Sequence, residues 1–546
     1  MVSALVLGVF VLLTDFPGTV RERLDAAGEW CRAHPGGTLV IPPGEYLLED
    51  ARAQEVRRAA MKREYGPNPA KAMFTPDFRY TRGLDLGGVT NVTVDATGAR
   101  LLIDGFMEPV SIRQAKGVTL RGLEIDHRRL PFSRAFVVAR DMRARTVDVR
   151  PDPLTPFTTD VVCPRAFFVD PQTGRLREGV VWAKEPGRAL PGGLVRYPIS
   201  SAGEGGRVGD EMYLAHSLHS RPAVLISHSE GVTLDGVTVR SMCGMGVVGF
   251  KSADIRLTRC AVTPRQPFRM STNTDATHFA CCRGELTVED CRFMGHGDDA
   301  LNVHSYYYSV LSSEGCEGSV KVVTPDGTHT QEPDLPPVGG EVEFVSADTL
   351  EPYGRAKVLS AVGWPETRVR LSAPFPTGKG PLKLANLTET PRVTFRRNTV
   401  SNHLARAVLI KSHTAVIEDN VISGSSGTAI HVGAESRWGE GVVSRDVRIV
   451  NNVIDGCGAT WYGRIDGASA VAVTVETPKA ADCVLHGRVE IGGNRVTLPA
   501  NCPQAFALRN VKEPVVRGNV VVSPVAEPET WTSVDKKRPQ QGVKCR

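Results

Sequence analysis

Along most of this chain, short runs of alternating apolar and polar residues stop at Gly, Asn, Asp or Cys and are followed at once by another short run. Examples are Gly88-Val89-Thr90-Asn91-Val92-Thr93-Val94-Asp95, Gly284-Glu285-Leu286-Thr287-Val288-Glu289-Asp290-Cys291 and Asp446-Val447-Arg448-Ile449-Val450-Asn451-Asn452-Val453-Ile454. A period of two over four to eight residues predicts strands with one buried face. Neighbouring units align at roughly 20–30 residues, the repeat length of a solenoid. Inward Val and Ile then stack from coil to coil into one core, and Asn at the turns forms side-chain ladders. The pattern predicts an all-β chain, a right-handed parallel β-helix.

The pattern changes in four places. Residues 4–13, Ala-Leu-Val-Leu-Gly-Val-Phe-Val-Leu-Leu, read either as the apolar part of a signal peptide or as a first strand ending at Thr14-Asp15-Phe16. No basic residue precedes them, no small-residue cleavage site follows closely, and the run is too short to span a bilayer. Val20, Leu24, Ala27 and Trp30 are spaced for a short amphipathic helix over Thr19 to His34, which would cover the exposed strand edges at the end of a solenoid. Residues from about 130 to 220 and from about 305 to 390 lose the repeat, read as β-rich, and are each long enough for a small barrel or sandwich. The expected organisation is a cap with the first coils (1–130), an insertion (131–220), central coils (221–304), a barrel-like insertion (305–390), C-terminal coils (391–525) and a tail (526–546).

Composition agrees with a long solenoid. The 546 residues exceed a usual single globular domain, Gly 54 and Pro 37 supply turns, and aromatic residues make up only 6%. Lys and Arg number 65 against 60 acidic residues, and the resulting charge of +5 is too small for this length to argue for nucleic acid or a membrane as partner. Twelve cysteines show no metal-ligand spacing, and Cys281-Cys282 reads as two core positions instead of a redox centre. The cysteines do not fix the compartment; an extracytoplasmic location is the expectation.

Candidate chemistry concentrates in Asn273-Thr274-Asp275 and Gly297-Asp298-Asp299, whose first carboxylates are 23 residues apart. That spacing is one coil, so the three acids fall side by side. A lone Asp at a β-helix turn ordinarily serves the turn, but adjacent carboxylates repel, and the pair in register with Asp275 reads as catalytic. Two such groups act as general acid and general base across a glycosidic bond when their pKa values are driven apart. Consecutive strand residues face opposite ways, so Asp298 and Asp299 share a cleft only if Gly297 or a turn breaks the alternation. Coils lie about 4.8 Å apart, and side chains spreading across a cleft would open that gap toward the separation an inverting enzyme needs.

These motifs resemble the signature of the polygalacturonase family, in which three aspartates on a β-helix carry out an inverting hydrolysis. The longer text resembles glycoside hydrolase family 110, the exo-α-1,3-galactosidases. The resembling segments are Thr274-Asp275-Ala276-Thr277-His278-Phe279, His296-Gly297-Asp298-Asp299-Ala300-Leu301-Asn302-Val303-His304, Glu124-Ile125-Asp126 with Pro131-Phe132-Ser133, and Trp438-Gly439-Glu440-Gly441. The resemblance implies Asp298 as general acid, with Asp275 and Asp299 holding and deprotonating water, and leaves an exchange between Asp298 and Asp299 open. His278, His296, Asn302 and His304 are candidates to bind sugar hydroxyls and Trp438 to stack on a sugar face; Arg406, Lys411 and Glu440 are further substrate-binding candidates, with Glu435 beside Glu440. Each of these has a structural reading beside the functional one.

The polygalacturonase pattern also expects a close Arg-x-Lys to hold a uronate carboxylate. Here Arg406 and Lys411 stand at a different spacing, which favours a neutral galactoside. Clustered aspartates also serve Ca²⁺ in pectate lyase-like β-helices, but no base outside the Asp pair stands out. The expectation is no cofactor, no metal, and a glycan with terminal galactose as substrate. The other readings are a polygalacturonase-like hydrolase and a non-catalytic glycan-binding β-helix, which would need neither the Asp pair nor the aligned Asp275.

Overall fold

The computed structural model describes residues 9–73, 75–157, 159, 163–177, 181–183, 185–199, 206–323, 333–458, 469–502, 504–524 and 543–545. The chain winds as a parallel β-helix of three long sheets. One coil runs through Val247–Phe250, Ala253–Thr258 and Ala261–Val262, and the next through Thr277–Ala280, Arg283–Glu289 and Arg292–Met294. Each strand pairs in parallel with its counterpart one coil on: Val247 with Thr277, Ile255 with Leu286, Ala261 with Arg292. The predicted alternation sorts the side chains: Phe279, Val303 and Ile410 point into one continuous core, with Val288, Ile417 and Ile449 from a second sheet and Phe293 and Ile422 from the third.

Sharp corners keep the coils in register. Between two of the sheets the chain turns at Arg397, Asp419 and Asn451, all with φ between 53° and 57°, and at Gly493 and Gly518. The residue after each corner is a buried Asn, and Asn398, Asn420, Asn452, Asn494 and Asn519 form the ladder expected from the sequence. The first four amide nitrogens each donate to the next Asn Oδ1 at 2.8–3.1 Å, and all five donate to a backbone carbonyl at 2.8–3.0 Å. This satisfies polar groups that would otherwise be stranded inside the core. Cys260 and Cys291 continue the column, and the Cys291 backbone N–H donates to Asn398 Oδ1 at 2.9 Å. Cys281 and Cys282 are both buried, on opposite sides of their backbone: Cys282 enters the main core and Cys281 a second one.

At the N-terminal end Phe10–Leu12 is a strand paired with Thr38–Val40; residues 4–8 of the apolar run lie outside the described residues. The predicted helix spans Val20–Ala33, capped by Thr19, with Leu24, Ala27 and Cys31 buried against the first coils. A second helix, Ala51–Met61, is absent from the sequence expectation. Its signals were present: Asp50 accepts from the Ala53 N–H at 2.8 Å, and Ala53, Val56, Ala59 and Ala60 form a buried stripe at helical spacing.

Two antiparallel units leave the helix. One is a seven-stranded sheet with Phe132–Asp141, Thr146–Pro151, Cys163–Val169 and Glu211–Ala215 among its strands. The other grows out of the long strand Leu301–Glu314. Its first residues, Leu301 to His304, pair in parallel within the helix, and its later ones join Glu317–Val322 on one side and Leu382–Asn386 on the other. With Glu341–Ser346, Pro352–Val362 and Thr367–Leu371 in between, this is a closed six-stranded barrel. Lys251, at a corner of the helix, reaches the barrel segment at Asp334 (2.8 Å) and Glu389 (3.0 Å).

Candidate active site

Asp275 and Asp299 occupy equivalent positions on successive coils, two residues before Thr277 and Leu301, which are paired. Arg406 holds the same position on the following coil, before Val408. The Ala276 N–H donates to the Asp299 carbonyl at 2.9 Å, and the Ala300 N–H to the Arg406 carbonyl at 3.0 Å. Asp298 and Asp299 stand in the bend between Arg292–Met294 and Leu301–Glu314, so strand alternation does not apply to them. Gly297 makes this bend fit: a Cβ there would lie 2.3 Å from the Asn273 carbonyl oxygen. His296 fixes it from inside, its Nδ1 donating to the Asp298 carbonyl at 2.7 Å while the ring stacks on His403 at 4.1 Å.

Oxygens of the three carboxyl groups lie within 4.8 Å of one another. The environments differ sharply. Asp299 is gripped by the Arg406 guanidinium, Nε to Oδ1 at 2.9 Å and Nη2 to Oδ2 at 3.0 Å, and accepts the Arg406 backbone N–H at 2.9 Å. Asp275 accepts the Asp299 N–H on Oδ1 at 3.1 Å and contacts His278 Nδ1 through Oδ2 at 2.6 Å. Asp298 has the largest exposed side-chain surface of the three, 17% against 7% and 2%. Its nearest cation, Arg165 Nη1, is 3.6 Å away and donates to the Gly297 carbonyl at 2.9 Å. Burial, then the charges of Asp299 and Asp275, push the Asp298 carboxyl up to about 7. Burial raises Asp299 as well, and Arg406 pulls against it.

The outer face of this sheet supplies the second half of the cluster. His278 and Asn302 are neighbours in register, as are His304 and Lys411. His304 Nδ1 must carry hydrogen, because its contact at 3.0 Å is the Ser305 carbonyl. Its Nε2 is then an acceptor, and His278 Nε2 donates to it at 2.8 Å. Burial would lower the His278 pKa, but the hydrogen bond and charge of Asp275 outweigh burial and raise it; burial takes His304 down to about 4. Arg406 Nη1 reaches Glu435 at 3.0 Å, Lys411 Nζ reaches the other Glu435 oxygen at 2.7 Å and also bonds Glu440, and Glu440 lies 4.0 Å from His304 Nε2. Glu435 and Glu440 begin and end a hairpin, each backbone N–H donating to the other's carbonyl, with the half-buried Trp438 on its turn.

The residues singled out in the sequence thus meet in one place, in two groups. Asp298, His278, Arg406, Asn302 and Trp438 retain some surface, and Asn302 Oδ1 has no partner. His296 and Lys411 are fully buried, and His304 nearly so. In this structure these three bond neighbouring side chains and backbone carbonyls. Arg406 and Lys411, at the wrong spacing for a uronate clamp, are joined through Glu435. Arg165 escaped the sequence reading because it comes from an insertion strand, and no local pattern marks it. As a metal site the donor set fits poorly, since both oxygens of Asp275 and of Asp299 already face N–H groups.

The fold is a parallel β-helix, and similarity to curated relatives supports a glycoside hydrolase. The resemblance to glycoside hydrolase family 110 extends over most of the chain. It is 24% identical over 493 residues to alpha-1,3-galactosidase B of Bacteroides thetaiotaomicron, covering 84% of this chain and 76% of the relative. It is 24% identical over 535 residues to alpha-1,3-galactosidase A of Shewanella woodyi, covering 89% and 81%. Among solved structures it is similar to the endo-xylogalacturonan hydrolase of Aspergillus tubingensis, with a TM-score of 0.46, 9% identity and coverage of 98% and 99%. It is also similar to the tailspike protein of E. coli bacteriophage HK620 in complex with a pentasaccharide, with a TM-score of 0.45, 11% identity and coverage of 98% and 64%. No protein-family model matches the chain.

Proposed function

We propose that the protein is an inverting exo-glycosidase that removes terminal α-1,3-linked galactose from glycans. The observation carrying this is the division of labour among three carboxyl groups. Asp298, partly exposed and with its pKa pushed up to about 7 by burial and by the two neighbouring charges, is the group that holds a proton to give to the leaving oxygen. Asp275 and Asp299 then share the water that attacks the anomeric carbon and take its proton.

Inversion follows from the hydrogen bonds that the carboxyl groups already make. A nucleophilic carboxylate needs an oxygen free to approach carbon. Both oxygens of Asp275 and both of Asp299 already face N–H donors, and Asp298 is the protonated group. A water donates into the remaining lone-pair directions of these oxygens more readily than a carbon centre approaches them.

The charge inventory supports a neutral sugar. A uronate would need a free cation, yet Arg406 is bonded to Asp299 and Glu435, and Lys411 is fully buried between Glu435 and Glu440. The names of the relatives point the same way, to a galactoside with an α-1,3 linkage. Incubation with α-1,3-galactobiose and, separately, with polygalacturonate tests the proposal. Galactose is expected from the first only, and proton NMR in the first minutes is expected to show β-galactose. Initial α-galactose would remove the inverting assignment, and uronate release would remove the substrate class.

A further inference from the structure

The contacts around the three aspartates form a closed circuit. From Asp275 it runs to His278 (2.6 Å), His304 (2.8 Å), Glu440 (4.0 Å), Lys411, Glu435 (2.7 Å), Arg406 (3.0 Å) and Asp299 (2.9 Å), and it returns to Asp275 through the Asp299 N–H (3.1 Å). Five carboxyl groups, counting Asp298, meet four cations: Arg165, Arg406, Lys411 and His278. The cluster is electrically balanced when one proton is retained, and Asp298 is where burial places it.

Half of the circuit has no route to a ligand. Lys411 and His304 lie beneath the hairpin, whose second strand, Glu440–Gly441, pairs with Ser305 and Tyr306 at the point where the long strand leaves the helix for the barrel. Behind the hairpin, Ala434 and Val442 pack with Tyr307, Val345 and Ala385 of the barrel. The hairpin is thus supported on one side by barrel packing and tied on the other to Asp299 through Glu435 and Arg406 and to Asp275 through Glu440, His304 and His278, with Lys411 joining the two glutamates.

We infer that Lys411, Glu435, Glu440 and His304 are positioning residues through which the hairpin fixes the relative placement of Asp275 and Asp299. The inference rests on the reading of those two aspartates as the pair that holds water. A circuit of this kind does two things that a purely structural ion pair does not. It sets the spacing of two groups on different coils, and it ties the proton on His278 to charges two and three contacts away, at Glu440 and Lys411. The groups facing His278 are Asp275, His304, Glu440 and Lys411, and the last two act in opposite senses, Glu440 favouring the imidazolium and Lys411 opposing it.

The test compares Glu440→Gln and Lys411→Met in the full chain, by steady-state kinetics on α-1,3-galactobiose and by NMR titration of ¹³C-labelled histidine with His278 assigned from His278→Asn. Each variant is expected to lose about 100-fold in kcat with KM nearly unchanged, as a small misplacement of reacting groups does. The His278 titration is expected to move down in pH for Glu440→Gln and up for Lys411→Met. If Lys411→Met fails to fold, the double variant Lys411→Met/Glu440→Gln replaces it; its balanced charge is expected to return the His278 titration toward that of the parent while kcat stays low. Parental kcat in the folded variants, or shifts of the same sign in both, would overturn the inference. Asp275→Asn separates this from failure of the underlying reading: if that variant also kept its rate, the water-holding pair itself would be wrong.

Discussion

Asp298 meets a cost in folding for its use as an acid. In the unfolded chain its carboxyl titrates near the usual value of about 3.9, and in the fold it is pushed up to about 7. Between those values the folded state binds the extra proton, so stability falls as pH rises through the window and stays lower above it. Asp298→Asn removes this linkage. The variant is expected to match the wild type near pH 4 and to exceed it in thermal stability by pH 8, by on the order of 1–3 kcal/mol, measured by melts across pH. The same substitution should cost turnover about 10²–10⁴-fold. In the wild type kcat/KM should decline above about pH 7 as Asp298 loses its proton. An unchanged profile up to pH 9 would mean that another group is the acid.

At the scale of elements, the corners decide more than the strands. The strands are short, and their inward Val, Ile and Phe would tolerate a slip in register; the Asn ladder would not, because each rung satisfies a backbone N–H of its neighbour. Asn452 accepts the Asn420 N–H at 3.1 Å and its side-chain nitrogen at 2.8 Å, and donates to the Ile417 carbonyl at 2.9 Å. Asn452→Ala leaves these groups buried and unpaired, and is expected to cost about 2–3 kcal/mol in denaturant melts. Val453→Thr next to it, on the exposed face, should cost less than about 0.5 kcal/mol. This part of the fold was legible in the sequence, since Asn-Val, Asn-Asn-Val and Gly-Asn recur at the coil period. The helix at Ala51–Met61 was legible too, but its stripe of Ala and Val is weaker than the strand pattern around it.

For the whole molecule, the barrel packs against the hairpin that carries Glu435 and Glu440. It is docked by Lys251, whose ammonium contacts Asp334, Glu389 and the Leu335 carbonyl at 2.8–3.0 Å, while Tyr308 donates to Asp334 at 2.8 Å. These charges are almost fully buried, so Lys251→Met leaves two carboxyl groups without their cation, at an expected cost of about 3–5 kcal/mol. If the barrel supports the Glu435–Glu440 hairpin as its packing indicates, limited proteolysis should open the barrel segment of this variant and activity should fall with it. Intact resistance to protease together with full activity would show that the barrel docks by its apolar contacts alone.

The sequence by itself determined the solenoid, because a period of two repeated at the coil length has few other ways to bury its apolar face. It also determined that Asp275, Asp298 and Asp299 would meet, because one coil separates them. Only the tertiary structure decided how they differ. The Arg406 guanidinium on Asp299, the His278–His304 pair behind Asp275 and Arg165 beside Asp298 come from separate coils and an insertion, at sequence distances where no spacing rule operates. Protonation depends on these three-dimensional neighbours and on burial, and neither is written in the local pattern that carries the motif.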